Sequence, residues 1–425
     1  MRPFEIYLPV FSLIAICILG GVSGFNALVD PYGMLGSPLY QGFNVVKPEQ
    51  GRDEPAYKIH RVTQIRPRGL ILGASNSDIG LDPRHKGWDV KPVYNFSIGR
   101  NSISTAYLFL LHAAASEMPR QIILSIDLAM FNSAHQDVFG IDKASLIVTE
   151  TGEKNPDYSL ANIYATVFSI DMLKSSVRTV IANYRENLAQ GEYEPLIGDY
   201  GLMNPDRFTI GKWWTYRSLF LGRVTEQVQK FWAPVDQMKA IDNWPDSTAF
   251  DAYRNVLRMA CEQNIDLRIV ISPSHAYMYE ATRLAGLWPV WEQWKRAIVQ
   301  VTASESGKYG CAPFPVWDFS NYDDTATEVI AVSNSPDKAS RWYLDAVHYR
   351  KQLGDKMLDR VFAANGSVGS DLPGVRLDQV DLDEHFTNIR KLAEFYRTEH
   401  AEEVAIVADT VSAAMQMEPT DAGQN

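Results

Sequence analysis

Two places in this chain combine residue types and spacing that could do nucleophilic chemistry: a serine at the end of an apolar run, and an Asp-x-x-His pair far downstream. The first is Gly69-Leu70-Ile71-Leu72-Gly73-Ala74-Ser75-Asn76-Ser77-Asp78, where apolar residues give way abruptly to small and polar ones. Leu70, Ile71 and Leu72 suit a parallel strand covered on both faces. Gly73 lets the backbone turn tightly, Ser75 stands at the carboxyl end of the strand, and Ser77 or Asp78 can cap the helix that follows. In open α/β sheets that edge is where ligands bind. The second place is Trp342-Tyr343-Leu344-Asp345-Ala346-Val347-His348-Tyr349. An Asp three residues before a His at a loop-to-helix junction can set its carboxylate beside the imidazole, which fixes the tautomer and stabilises imidazolium. A serine nucleophile needs that. Taken singly, each has a plainer explanation: Ser75 and Ser77 as turn and cap residues, Asp345 as a helix cap, His348 as a first-turn residue.

Holding these residues requires a sheet. Short apolar segments at Leu70–Leu72, Val93–Ile98, Gln121–Ile126, Asp266–Ser272 and Pro315–Phe319 alternate with helix-like stretches at Ser102–Ser116, Phe250–Gln263 and from Val347 to about Phe362. Such alternation predicts an α/β fold with a five-stranded parallel sheet and helices on both faces, a three-layer αβα sandwich. Residues from about 131 to 247 break the rhythm and are too many for an unstructured loop, so they are read as a mainly helical insertion with a helix near Met172–Arg185. Its aromatic residues Tyr158, Tyr164, Trp213, Trp214 and Tyr216 could stack on sugar rings or simply hold the insertion together. The division expected is an anchor at 1–29, a turn-rich connector at 30–57, the α/β domain at 58–365, and a C-terminal segment at 366–425. That last segment is charged and helix-like over Leu382–Ala414 and ends in a disordered tail from Met417.

No charged residue occurs from Ile6 to Val29, a run long enough to cross a bilayer as one helix. With Arg2 before it, the positive-inside tendency keeps the amino terminus cytoplasmic and puts everything after Asp30 outside, a single-pass inner-membrane protein with a periplasmic domain. Val22-Ser23-Gly24 could instead serve as a cleavage site for a removable signal peptide, although the apolar run is longer than a signal-peptide core. The formal net charge of −11 argues against a polyanionic partner such as nucleic acid. Of three cysteines, Cys17 lies in the apolar run and Cys261 and Cys311 could form a disulfide; none has metal-ligand spacing. The eight histidines form no zinc-type cluster, and no metal or other cofactor is expected.

Together, Gly73-x-Ser75-x-Ser77 after the first strand and Asp345-x-x-His348 before the last core helix resemble the SGNH (GDSL-like) hydrolase superfamily, with the two blocks in that chain order. The resemblance covers roughly Lys58–Phe362 and implies a flavodoxin-like sheet with a Ser-His-Asp triad of Ser75, His348 and Asp345. Asn95-Phe96-Ser97-Ile98-Gly99 looks like the family's second block, which implies that the backbone N–H groups of Ser75 and Gly99 form the oxyanion hole. The family's Gly-x-Asn-Asp block is absent; Ser125-Ile126-Asp127-Leu128 stands in its place, and an ionised carboxylate cannot replace an amide donor. Asp127 is assigned a structural or substrate-facing place without orienting His348, because the Asp345-x-x-His348 spacing already supplies an orienting carboxylate. This departure is similar to the membrane-anchored branch that acts in polysaccharide O-acetylation and teichoic-acid D-alanylation. The resemblance implies an esterase or O-acetyltransferase acting on a cell-envelope or exported polysaccharide, with a carbohydrate substrate and a multispanning acyltransferase partner. The alternative is a catalytically inactive SGNH-like subunit that binds glycan or organises such a complex, since a fold does not guarantee its chemistry. His275, in Ser272-Pro273-Ser274-His275, also falls at the ligand edge, where it could touch substrate or be satisfied by its own backbone.

Overall fold

The computed structural model describes residues 3–132, 141–159, 166–189, 196–204, 214–232, 235–239, 244–363 and 374–417. They divide into two compact units, one of Met1–Gln64 with Ile141–Asp199 and one of Ile65–Gly140 with Tyr200–Asn425.

The first unit carries α1 (Pro3–Val29) and, beside it, the sequence of the turn-rich connector. Within α1 the stretch Tyr7–Val29 has a mean hydropathy of 2.2 over its most apolar window, none of which is buried. At 1.5 Å per residue such a helix is about 35 Å long, enough for the hydrocarbon core of a bilayer. Its carboxyl end is built into the unit: Lys47 donates to the carbonyls of Val29 and Asp30, a cation placed where a helix leaves its last acceptors unpaired. Asp30 adopts a left-handed backbone (φ 45°), and its carboxylate collects the amides of Leu35, Gly36 and Ser37. Buried Asn26 donates to the carbonyl of Val167 and accepts from Ser176. Ser176 belongs to a helix at Ile170–Ala189, longer than the segment expected from its apolar spacing. The unit also holds most of a helix at Glu54–Ile65, which the turn-rich reading of the connector did not anticipate.

The second unit is an α/β unit with, among the described residues, a sheet of six strands: β1 (Gly69–Leu72), β2 (Val93–Asn95), β3 (Gln121–Ile126), β4 (Asp266–Ile271), β5 (Val316–Asp318) and β6 (Val375–Arg376). Their order is β2-β1-β3-β4-β5-β6. The first five are parallel, as the apolar runs predict, with Leu70, Ile71, Leu72 and all of β3 buried. The expectation of five strands and a purely parallel sheet is corrected by β6, which pairs antiparallel with β5 through Trp317–Arg376 and Asp318–Val375. Two half-buried residues are too few to leave an apolar signature. The order reverses between β1 and β3, so the sheet's topological switch point lies between the carboxyl ends of those two strands.

Three helices pack in a row, the one at Ile103–Ser116 on that at Thr248–Glu262 and the latter on that at Trp288–Tyr309. Cys261 and Cys311 are joined by a disulfide, Cα–Cα 5.5 Å, which ties the end of the second to the residue after Gly310, the left-handed cap of the third. The helix at Lys351–Phe362 packs instead against the short helix Ser75–Gly80. The charged C-terminal stretch forms two helices, Leu382–Glu399 and Ala401–Gln416, broken at His400. It is fastened to this unit by Arg390 on Glu292, Arg397 on Glu280 and His385 on Asp318. The expected tail beyond Met417 lies outside the described residues, as do Tyr164 and Trp213.

Candidate active site

The turn after β1 is shaped by a close approach. A Cβ on Gly73 would stand 2.6 Å from the carbonyl oxygen of Ser125 and overlap the Ser77 hydroxyl, so only glycine lets the chain leave β1 against β3. Ser75 then opens the helix Ser75–Gly80 as its first residue, where amide N–H groups have no intrahelical acceptor. Ser77 donates to Ala74's carbonyl and lies 3.0 Å from the Ser97 hydroxyl, and Asn95 donates to the carbonyls of Ser77 and Leu81. The side chains at the end of β2 thus lock the helix that presents Ser75. Ser77 and Asp78, read from sequence as cap candidates, lie inside this helix instead.

From the far end of the chain, the loop Tyr343–Tyr349 folds back on itself, with the Leu344 amide on the His348 carbonyl. Asp345 Oδ1 accepts from the amides of Val347 and His348, and its Oδ2 lies 2.7 Å from His348 Nδ1. His348 Nε2 in turn lies 2.7 Å from Ser75 Oγ, joining residues 273 apart in sequence. Burial alone would raise the Asp345 carboxyl, but the imidazole of His348, the guanidinium of Arg223 and hydrogen bonds from His348 outweigh it and hold it well below the usual carboxylate range. An ionised Asp345 can only accept, so Nδ1 carries the proton and Nε2 is left to accept from the Ser75 hydroxyl.

A cavity of about 100 Å³ opens onto Ser75 and His348, bordered by Ala74, Arg100, Asn101 and Asp127. Aromatic rings of Trp232, Tyr279, Trp291 and Trp294 supply part of its wall. Every lining residue belongs to the second unit. Asp127, at the end of β3, accepts from Asn76 Nδ2 at 3.1 Å and from the Met130 amide, while the carboxylate hydrogen-bonded to His348 is that of Asp345. Burial raises the Asp127 carboxyl, against partial compensation from the amides of Met130 and Ala129, from Asn76 and from His348.

Gly99 itself does not border the cavity; its neighbours Arg100 and Asn101 do. Asn101 donates to the Gly73 carbonyl at 2.8 Å, and its buried Oδ1 has no hydrogen-bond partner among the described residues. His275 is off the lining. It caps the helix Ala276–Leu284 through its ring, its Nε2 meets the Glu328 carbonyl at 2.8 Å, and burial lowers its pKa to about 4. Its place matches a histidine satisfied by backbone rather than one presented to substrate. Among the described residues no three His, Cys, Asp or Glu side chains gather as a metal site.

Two residues at the site have no counterpart in the sequence reading. Arg100 stands in a left-handed conformation (φ 56°), a strained setting for a non-glycine residue. Arg223 lies on the helix Tyr216–Glu226, inside the stretch read as an insertion, and its Nε is 3.2 Å from Asp345 Oδ2. Arg100 directly follows the Asn95–Gly99 block, the signal that could have found it, whereas no local motif surrounds Arg223 and only the tertiary fold brings it to the cavity. No family model matches this chain, and no curated protein matches it in sequence.

Proposed function

We propose that this chain is a membrane-anchored serine esterase or O-acyltransferase of the SGNH type, acting outside the cytoplasm on a cell-envelope or exported polysaccharide. The observation that carries this reading is the hydrogen-bonded row Ser75–His348–Asp345 at the sheet's switch point. In this reading the Ser75 oxygen attacks an ester carbonyl while its proton passes to His348 Nε2. The backbone N–H of Ser75, at the first position of its helix, meets the oxyanion, such a donor being worth roughly 10²- to 10³-fold in rate. Imidazolium then protonates the departing alcohol, leaving the acyl group on Ser75. Water or a sugar hydroxyl, deprotonated by His348, releases it. A cavity of about 100 Å³ suits a short acyl chain. The parallel order of the first five strands and the packing of helices in two groups fit the three-layer αβα sandwich that this family implies.

Two features support a site outside the cytoplasm: the helix Tyr7–Val29 is long and apolar enough to act as an anchor, and the Cys261–Cys311 disulfide suits an oxidising compartment. Protease added to sealed spheroplasts is expected to digest the globular part; protection until lysis would reverse the topology. Outside the cytoplasm a transferase has no acetyl-CoA, so a multispanning membrane partner would have to pass the acyl group across.

The rival reading, a silent glycan-binding subunit, draws on Asp127, a carboxylate in the place of an amide donor. Acyl release separates the two. Purified full chain in detergent should turn over 4-methylumbelliferyl acetate slowly, and an oligosaccharide acceptor should speed release of the acetyl group. Folded protein that binds the oligosaccharide yet releases nothing would favour the subunit role.

A further inference from the structure

We propose that Arg223 is a positioning residue for the Asp345–His348 pair, delivered by a helix that lies outside the motifs that resemble a known family. It rests on the reading of His348 as base and Asp345 as its orienting acid. Asp345 is held from every side. Its Oδ1 takes the amides of Val347 and His348, and its Oδ2 is shared between His348 Nδ1 at 2.7 Å and Arg223 Nε at 3.2 Å. The last contact reaches Asp345 from outside its own loop: among the described residues, the other bonds that hold the carboxylate all come from Val347 and His348, so Arg223 is what ties that loop to a second element.

Arg223 is itself immobilised. Its side chain is 27% exposed, and its Nη1 contacts Glu226 at 2.5 Å one turn further along the helix. Glu226 also meets Arg100 Nη2 at 3.3 Å and Lys230 at 3.7 Å, so the cavity's rim and the Asp345 clamp form one charged row. The helix start is pinned by the reciprocal Thr215–Ser218 capping box and by the Ser333 and Ala331 carbonyls, which accept from the amides of Tyr216 and Arg217. A side chain placed so firmly against one carboxylate oxygen can fix a geometry to the fraction of an ångström that proton transfer demands.

The test uses the full chain in detergent. The downfield Nδ1 proton of His348, followed by NMR, reads the Asp345–His348 bond whether or not the protein turns over, and fluorophosphonate labelling reads the base. For Arg223→Gln the expected results are a broadened Nδ1 signal and labelling slowed about 10- to 100-fold. Arg223→Lys should restore part of the signal but not the full rate, since an ammonium supplies charge without the planar fork. An unchanged Nδ1 signal in Arg223→Gln would overturn the proposal, even where labelling slows, because slowing alone is the mark of a merely structural arginine. A broadened Nδ1 signal in Arg223→Gln together with wild-type protein that is never labelled would refute the nucleophile reading while leaving Arg223 as the clamp.

Discussion

Ser75→Ala should lower turnover of a small acetyl ester by about 10⁴- to 10⁶-fold, His348→Ala should lose nearly as much, and the double variant should be no worse than Ser75→Ala alone. The reason is geometric. Ser75 Oγ and His348 Nε2 share one proton across 2.7 Å, so either residue alone leaves the other without a role. A hydroxyl without a base is a poor nucleophile near neutral pH, and an imidazole without the hydroxyl can only activate water across a gap the size of the missing oxygen. Steady-state rates of the three variants, each checked for an unchanged melting temperature, decide this. Losses that multiply in the double variant would mean that the two residues act independently and that no triad exists.

Asp345→Asn should cost on the order of 10³- to 10⁴-fold, while Asp127→Asn should stay within about tenfold of wild type. In Asp345→Asn the amide oxygen is claimed by the Val347 and His348 amides, so its NH₂ group must face both His348 Nδ1 and Arg223 Nε. Donor then meets donor. The imidazole escapes by taking the other tautomer, which puts a proton on Nε2 and leaves Ser75 without an acceptor. Asp127 has no such leverage: its hydrogen bonds go to Asn76 and to the turn that follows β3, and Asn can keep the bond from the Met130 amide. Comparing kcat/KM for the two variants distinguishes the roles, and a larger loss in Asp127→Asn would hand the orienting role to Asp127.

Why Ser75, Asp345 and His348 were legible in the sequence, and Arg223 was not, follows from the range of the forces that place each. Leu70–Leu72 form a strand because three apolar side chains in a row must be buried, and Gly73 releases the chain from it, so Ser75 is located by its immediate neighbours. Asp345 reaches His348 through a turn of three residues, again a local matter. The parallel strands were readable for the same reason. Arg223 reaches Asp345 only because its helix packs on the helices at Ala276–Leu284 and Ala401–Gln416, contacts that no window of sequence contains. The strand Val375–Arg376 is formed by pairing with Trp317 and Asp318 rather than by its own apolarity. Likewise, the grouping of 141–199 with the amino-terminal 64 residues depends on buried polar contacts such as Asn183 with the Val46 backbone, not on any change in composition.

The measurement closest to the central claim is the intact mass of the folded full chain after exposure to a serine-directed fluorophosphonate, followed by peptide mapping. The account predicts one adduct on Ser75, absent from Ser75→Ala and nearly absent from His348→Ala, because labelling requires a hydroxyl whose proton a base can take. Folded wild-type protein that gains no mass, or gains it on another residue, would contradict it.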